Sequence, residues 1–516
     1  MFAQRSPVLI IQNVLSAILG FVGLFFILRY IGTTDWGFVA FGIGFVGIFS
    51  LIGDLGYSTA HTIKISAGED IATCNGTYLT IKVVLGLLFV VLVVAALEFW
   101  TLVLHRGFQS PIEYWIILAL IPYFFFQNLT AFPNAYFRAT LKSVRTSIPP
   151  LVEAVFRNSV FIFLALIVKY SGSGGYMDAL YLSSTYSVSY SIYFIVGLML
   201  GRPWKISRPT RTMFRAYTFI ALPLMLVTSV GTISGNIDKV VIQLFWHADA
   251  TGAFYTSQTI AAIITTLSGS MSTFFVPLLI KYQKFHGKSV HNQSIHEFER
   301  LISLYTLPLV VPLSILSLYV MNIFTAGYIE FSLMLSLLSW RAYFSAINTP
   351  YSSSIVSRSR TMTIAKIDTT LVFLNIFLIL ILVPPKIFNI SFFSLGAYGA
   401  AYAMLVGGII SAVVYRIVVI KMEGIKANYG IFRQVLPAGV QAGFLFWIQT
   451  IIVPKDILVL IPVTLASIII YFIVAILMKE TTLDEIRRII YNFSPFAVKK
   501  RFEEEDTDTD EKIMGS

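Results

Sequence analysis

The sequence predicts an all-α integral membrane protein with about fourteen transmembrane helices. Of its 516 residues, 57% are hydrophobic and only 12% are charged, and the mean hydropathy is +0.79. A soluble domain carries about 25% charged residues. Apolar runs such as Val83–Leu97 and Ile457–Leu477 extend, with their flanks, over about 20 residues, enough to span a bilayer as a helix. A transmembrane barrel would instead show short strands of alternating polarity.

The apolar runs divide the chain into spans separated by short connections. The Gly-rich second run and the last two, joined at Pro454, have the weakest boundaries. The predicted spans are 8–30, 36–58, 77–98, 112–132, 149–169, 178–200, 214–236, 251–280, 302–324, 332–350, 367–384, 396–420, 434–453 and 456–478.

Lysine and arginine are concentrated in alternate connections between the spans. The even-numbered connections hold clusters such as Arg138–Arg145 and Arg202–Arg215, whereas the odd-numbered ones hold few basic residues. Because basic loops stay in the cytoplasm, we predict a multi-pass protein of the cell membrane with both termini cytoplasmic. The same loops account for the net charge of +11, so no nucleic-acid partner is predicted. The single Cys74 excludes an intramolecular disulfide.

Two related stretches suggest an internal repeat. Tyr30–Phe41 follows the first span and Phe245–Tyr255 follows the seventh, and an offset of 215 places Gly37 on Gly252. An even number of spans per unit makes the repeats parallel, so we predict two six-helix bundles around a central cleft. The alternative is that both stretches are unrelated turns that need glycine.

This division predicts five segments. The segment after the last span begins with a capping box at Thr482–Glu485, and its apolar residues share one face, which indicates a helix on the membrane surface. The segments are an N-terminal bundle at 1–210, a C-terminal bundle at 211–430, two additional spans at 431–480, an amphipathic surface helix at 481–502 and a disordered acidic tail at 503–516.

Three motifs resemble a known transporter family. They are Arg29–Phe38 together with Gly53–Ala60, which contains Asp-Leu-Gly, and Asn236–Ile242 followed by Gly252–Tyr255. In this order and at these spans, the sequence resembles the polysaccharide transporter (Wzx-like flippase) branch of the multidrug/oligosaccharidyl-lipid/polysaccharide exporter superfamily. The Phe-Tyr pair that ends the last motif departs by one residue from the family's simpler spacing.

The resemblance implies a flippase that works by alternating access. Its substrate would be a polyprenyl- or dolichyl-(pyro)phosphate-linked oligosaccharide, moved outward for surface polysaccharide or glycoprotein glycan assembly. Membrane lipids and glycan-assembly enzymes would be its partners. The alternative is a cation-coupled small-molecule or drug exporter of the same superfamily and fold. A membrane enzyme is disfavoured, because the outer connections are short and no catalytic triad, metal-ligand cluster or cofactor motif is present.

Charges inside the predicted spans are candidates for the substrate cleft. Arg341 lies in the middle of the tenth span, where it either contacts substrate phosphate or sugar or binds neighbouring carbonyl groups. Glu153 and Arg157 are four residues apart in the fifth span, which suits a cytoplasmic gate or a structural intrahelical pair. Lys82 and Arg416 lie near cytoplasmic span ends, and we expect them to extend toward the interface.

Polar residues at span ends form a second group of candidates. Arg29 ends the first span, as a cleft residue or an interfacial anchor. Asn236, Asp238 and Lys239 close the seventh, where the resemblance singles them out and helix capping is the alternative. Asp54 caps a helix or binds a coupling cation, and the cap is favoured.

The seventh span also contains the predicted hinge. Pro223, Gly231 and Gly235 interrupt its apolar run. Proline removes an internal hydrogen bond, and glycine allows either bending or close helix packing. We therefore predict that this span bends when the bundles move.

Overall fold

The structure is a computed structural model that describes residues 2–103, 108–140, 142–172, 175, 177–285, 287–358, 360–387, 390–424, 430–454 and 456–485. Within these residues the fold is helical apart from one short antiparallel hairpin, β1 (Lys386–Ile387) and β2 (Ile390–Ser391). The helices are α1 (Phe2–Tyr30), α2 (Thr33–Phe49), α3 (Leu51–Asp54), α4 (Tyr57–Ser66), α5 (Ile71–Glu98), α6 (Ile112–Ala139), α7 (Ser143–Ser171), α8 (Met177–Leu200), α9 (Arg211–Ser234), α10 (Ile237–Phe245), α11 (Ala248–Phe285), α12 (Gly287–Ile315), α13 (Ser317–Phe324), α14 (Ser332–Ser357), α15 (Thr361–Leu382), α16 (Gly396–Glu423), α17 (Val435–Ile451) and α18 (Ile457–Leu477).

The helices confirm an all-helical multi-pass membrane protein. Nine helices of the described chain are long and apolar enough to cross a membrane, and α2 with the α3–α4 segment makes a tenth if that pair, bent by 41°, is one span. Each predicted span overlaps a helix, but α8, α9, α11 and α14 are not among those nine. The number of fourteen spans therefore stays a prediction. Of the surface helix predicted at 481–502, only residues 481–485 are described, and the acidic tail predicted at 503–516 lies outside the described residues.

Two of the predicted spans are interrupted. The second, 36–58, runs through α2, α3 and the first residues of α4, and it bends by 41° after α2. The seventh, 214–236, instead ends at the break between α9 and α10, so α10 lies in the connection predicted after it. The ninth consists of α12 and α13, and its break follows Pro312 by four residues. The proposed hinge residues Pro223 and Gly231 lie within α9, where the backbone is helical.

The helices form two groups that meet along α2. In the first group α1 packs on α7 and α6 packs on α8, and in the second α14 packs on α11, α12 and α16. Between the groups, α2 lies against α10 and α11. A Cβ atom added to Gly252 would be 2.9 Å from the carbonyl oxygen of Thr33 and 3.0 Å from the nitrogen of Gly37. The two glycines aligned by the repeat thus lie against each other, and the helices approach this closely because neither carries a side chain.

Helix α9 is fastened to both groups. At its first turns, Tyr217 is fully buried and its hydroxyl lies 2.7 Å from Nδ1 of His61 on α4. At its last residue, the hydroxyl of Ser234 accepts a hydrogen bond of 3.4 Å from the amide of Asn375 on α15. α9 therefore bridges the two halves of the molecule.

Candidate functional site

A cavity of about 330 Å³ lies between the two groups of helices. Its walls come from α1, α2, α6, α7 and α8 on one side and from α11 on the other. Aromatic residues and one charged residue line it, including Trp36, Tyr123, Arg157, Tyr190 and Tyr255. This is the position that the repeat predicts for a central cleft.

Arg157 brings the charge to the cavity, and Glu153 neutralises it. Their Nε and Oε1 atoms are 2.5 Å apart one turn along α7, while Glu153 is only 5% exposed and also accepts a hydrogen bond of 3.2 Å from Ser189. The guanidinium carbon lies 5.7 Å and 5.3 Å from the ring centroids of Phe161 and Tyr186. Charge pairing and aromatic contact together hold the guanidinium in one orientation. The predicted ion pair thus forms, and its Arg157 lines the cavity.

The aromatic wall was not predicted from the sequence. The ring centroid of Tyr123 is 5.3 Å from that of Tyr186 and 4.6 Å from that of Tyr190. On the other side, Trp36 stacks on Tyr255 at 5.5 Å with an angle of 25° between the rings. The available signal was the helical spacing of four between Tyr186 and Tyr190, which places both side chains on one face of α8.

Lys239 and Asp238 lie directly behind this wall. The Lys239 ammonium group is 5.5 Å from the ring centroid of Tyr255 and donates a hydrogen bond of 2.6 Å to the carbonyl of Gly235. Asp238 is fully buried, lies 3.4 Å from the same ammonium group and accepts a hydrogen bond of 3.4 Å from Gln258. Both residues support Tyr255, and neither lines the cavity.

Asn236 packs between α2 and the junction of α9 with α10. Its amide donates to the carbonyl of Thr232 at 2.9 Å, and its side chain occupies the space that a Cβ on Gly47 would need. Its side chain therefore fills the space between this junction and α2.

Hydrogen bonds join the beginnings of α2 and α11 at the end of the cavity that is predicted to face outward. Asp249 at the start of α11 accepts hydrogen bonds of 2.6 Å and 2.8 Å from the hydroxyls of Thr33 and Thr34. Beside them, a Cβ on Gly37 would fall within the carbonyl group of Ala248. The beginnings of α2 and α11 thus form a contact, the outer closure, which consists of residues 33–37 and 248–252.

Arg341 does not line the central cavity. It lies in a second cavity of about 210 Å³ inside the C-terminal group, together with Asn348, Asp368 and Asn375. Arg29, at the end of α1, is exposed and lines neither cavity. The structure thus places Arg157 in the lining of the cavity, with Glu153 paired to it. Asp238 and Lys239 lie behind the lining, and Arg341 and Arg29 lie elsewhere.

Lys82 and Arg416 do not extend toward the interface as expected. Lys82 is fully buried and its ammonium group lies 2.5 Å from Asp54 and 2.9 Å from Asn128. The Arg416 Nε donates to Glu299 at 3.0 Å, and Glu299 is 3% exposed on its side chain. A carboxylate within reach outweighs hydration at the interface, because an unpaired charge inside a helix bundle is costly. Among the described residues, no group of three His, Cys, Asp or Glu could hold a metal ion.

A family model described as "Polysaccharide biosynthesis protein" matches residues 2–283. The chain belongs to this family. Its membership confirms the resemblance read from the three motifs and makes the chain a membrane transporter of the multidrug/oligosaccharidyl-lipid/polysaccharide exporter superfamily rather than an enzyme. No curated protein matches the sequence significantly.

Solved transporters share the fold of this polysaccharide biosynthesis protein. The lipid II flippase MurJ in an inward closed conformation is 17% identical with a TM-score of 0.71, covering 91% of this chain and 98% of MurJ. An inward-facing multidrug resistance MATE transporter is 15% identical with a TM-score of 0.61, covering 80% of this chain and 96% of that one. A superfamily transporter from Pyrococcus furiosus is 14% identical with a TM-score of 0.52, covering 82% and 95%. These likenesses show the fold.

Proposed function

We propose that this transporter moves the head group of a lipid-linked oligosaccharide across the cytoplasmic membrane through the central cavity. The substrate would be a polyprenyl- or dolichyl-(pyro)phosphate-linked glycan. The observation that carries the proposal is the chemistry of the cavity: a guanidinium and several tyrosines, Arg157, Tyr123, Tyr190 and Tyr255, lie between the two halves of a polysaccharide biosynthesis family member.

This lining solves the main physical problem of such transport. Each sugar hydroxyl loses its hydration inside the membrane, which is unfavourable unless a hydrogen bond replaces the water. Tyrosine supplies both a hydroxyl and an apolar ring, so it binds the polar and the C–H faces of a sugar. The lipid tail stays in the hydrocarbon of the bilayer throughout, so its movement between leaflets requires no dehydration.

Alternating access follows from where the two halves touch. The outer closure of residues 33–37 and 248–252 shuts the cavity on the side predicted to be extracellular. Opening this contact, while the opposite side closes, would expose the same residues to the outer leaflet. Of the predicted hinge residues, Pro223 and Gly231 lie between the anchors of α9, Tyr217 and Ser234, and Gly235 follows the second anchor, so such a motion would bend α9 near them.

The test is a liposome assay with purified protein and a fluorescent short-chain polyprenyl-diphosphate disaccharide. The rate at which the label becomes accessible to an outer-leaflet quencher is measured for the wild type and for Arg157→Ala. A hydrogen bond to a charged group contributes about 1.5–3 kcal/mol, so we expect a rate about 10–100-fold lower in the variant. Arg360→Ala, which removes an exposed arginine side chain that lines neither cavity, is the matched control.

The variant Arg341→Ala tests which of the two cavities binds the substrate. A loss as large as that of Arg157→Ala would move the substrate site to the second cavity. Transport at the protein-free rate, with ion gradients imposed in either direction, would overturn the flippase proposal in favour of a cation-coupled exporter.

A further inference from the structure

We infer that the central cavity selects uncharged sugars over acidic ones, and that Glu153 sets this selectivity by neutralising Arg157. The inference rests on the proposed function and defines the class of glycan that the cavity accepts. It assigns Glu153 a role in specificity that an intrahelical structural pair would not have.

The charge of the cavity is the first observation. Among the described residues that line it, Arg157 is the only charged one. The carboxylate of Glu153 lies 2.5 Å from its Nε atom, so the site as a whole is close to neutral. Glu153 is 5% exposed and also accepts a hydrogen bond from the hydroxyl of Ser189, so it is held in place behind the lining, next to Arg157. A substrate cannot displace it without leaving a buried carboxylate unpaired.

A neutral sugar and an acidic sugar differ in the electrostatic cost of binding in such a site. A sugar carboxylate must give up its hydration, and the cation that would replace that hydration is already matched by Glu153. A carboxylate near Arg157 also approaches the Glu153 carboxylate, which repels it in this low-dielectric environment. An uncharged sugar meets no such repulsion. It accepts hydrogen bonds from the tyrosines and from the Arg157 Nη atoms, and its C–H face packs on their rings.

The aromatic lining fits the same class of ligand. The ring of Tyr123 is inclined by 53° to that of Tyr186 and by 86° to that of Tyr190. The three rings therefore form a concave surface and not a flat one. Trp36 stacked on Tyr255 forms the opposite surface. These side chains supply contact area and hydroxyl groups without adding charge.

The experiment compares two probes in the liposome assay. Both are short-chain polyprenyl-diphosphate disaccharides with the same label, and the terminal sugar is a neutral hexose in one and the matching hexuronic acid in the other. Since the diphosphate is common to both, it cancels in the ratio of transport rates. For the wild type we expect the neutral probe to be transported at least about tenfold faster, the effect of one unpaired charge interaction.

Glu153→Gln keeps the shape of the side chain and leaves Arg157 with its full charge. We expect the ratio to shift toward the acidic probe by about tenfold or more. The double variant Glu153→Gln with Arg157→Gln is the matched control, because it is neutral again and should restore the preference for the neutral probe. Size-exclusion chromatography confirms that each variant is folded.

The outcomes separate the two proposals. Equal transport of both probes by the wild type would overturn the selectivity and leave the flippase proposal intact. An unchanged ratio in folded Glu153→Gln would show that Glu153 only stabilises α7. If Glu153→Gln does not fold, the ratio of neutral to acidic transport rates in the wild type and in the double variant tests the selectivity instead. Transport of neither probe would overturn the proposed function itself.

Discussion

Closure of the cavity depends on a contact between two helix backbones. Gly37 on α2 lies so close to α11 that an added Cβ would overlap the carbonyl group of Ala248 and lie 3.0 Å from its Cα atom. Ordinary contact begins at 3.4 Å, and backbone atoms cannot rotate away as a side chain can. The substitution Gly37→Ala therefore forces α2 and α11 apart at the outer closure.

The size of this effect follows from the overlap. Overpacking by one methyl group costs about 1–3 kcal/mol when neighbouring atoms must shift. Because the strain exists only while the outer closure is formed, the same energy shifts the population toward the outward-open state. This corresponds to about a 5–150-fold change in the equilibrium. Thr33 and Thr34 would also separate from Asp249, whose two hydrogen bonds belong to the same contact.

Labelling with a membrane-impermeant thiol reagent measures the change. Thr259 lines the cavity and is exposed there, so Thr259→Cys reports access from the extracellular side. The native Cys74 is fully buried and stays unlabelled. We expect faster labelling in the Gly37→Ala background. In the control Gly443→Ala, a Cβ meets no atom within 4 Å, and we expect no change. Equal labelling rates in folded Gly37→Ala would refute the argument.

Two further predictions concern ion pairs inside the helix bundles. Lys82→Met leaves Asp54, whose side chain is 39% exposed, without its cation, and we expect a loss of about 1–3 kcal/mol in the free energy of unfolding, measured by thermal denaturation in detergent. Adding Asp54→Asn should recover part of the loss, and a loss below about 1 kcal/mol would mean that the pair is effectively solvated. Arg416→Gln should destabilise by a similar amount because Glu299 is buried, whereas an unchanged melting temperature would contradict this role.

The helical membrane fold was predictable because hydropathy is a property of about 20 consecutive residues and not of single side chains. Runs such as Ile457–Leu477 must be helical in lipid, and their number and loop charges imply the layout without any tertiary information. The repeat also identified Gly37 and Gly252, which do meet. The bend after α2 and the break at Gly235 were less visible, since glycine in a span indicates bending and close packing equally well.

The site was only partly predictable. Glu153 and Arg157 could be paired from their spacing, since residues four apart on a helix are neighbours. Arg341 is a candidate for the cleft because it is charged in mid-membrane, with bonding to neighbouring carbonyl groups as the alternative, but the sequence does not tell which face of a helix meets which neighbour. The same limit applied to Lys82, whose partner Asp54 lies on another helix. The tyrosines of the wall carry no charge, so they did not stand out among the apolar residues.

Helix α9 limits how far the two halves can travel. Its anchors on them, Tyr217 and Ser234, are seventeen residues apart, a helical length of about 25 Å. As long as both anchors hold, this helix acts as a strut of nearly constant length. The halves can tilt about its ends, and the strut can buckle near Gly231, but they cannot drift apart in the plane of the membrane. For the proposed alternating-access motion, this leaves rocking of one half against the other instead of their separation.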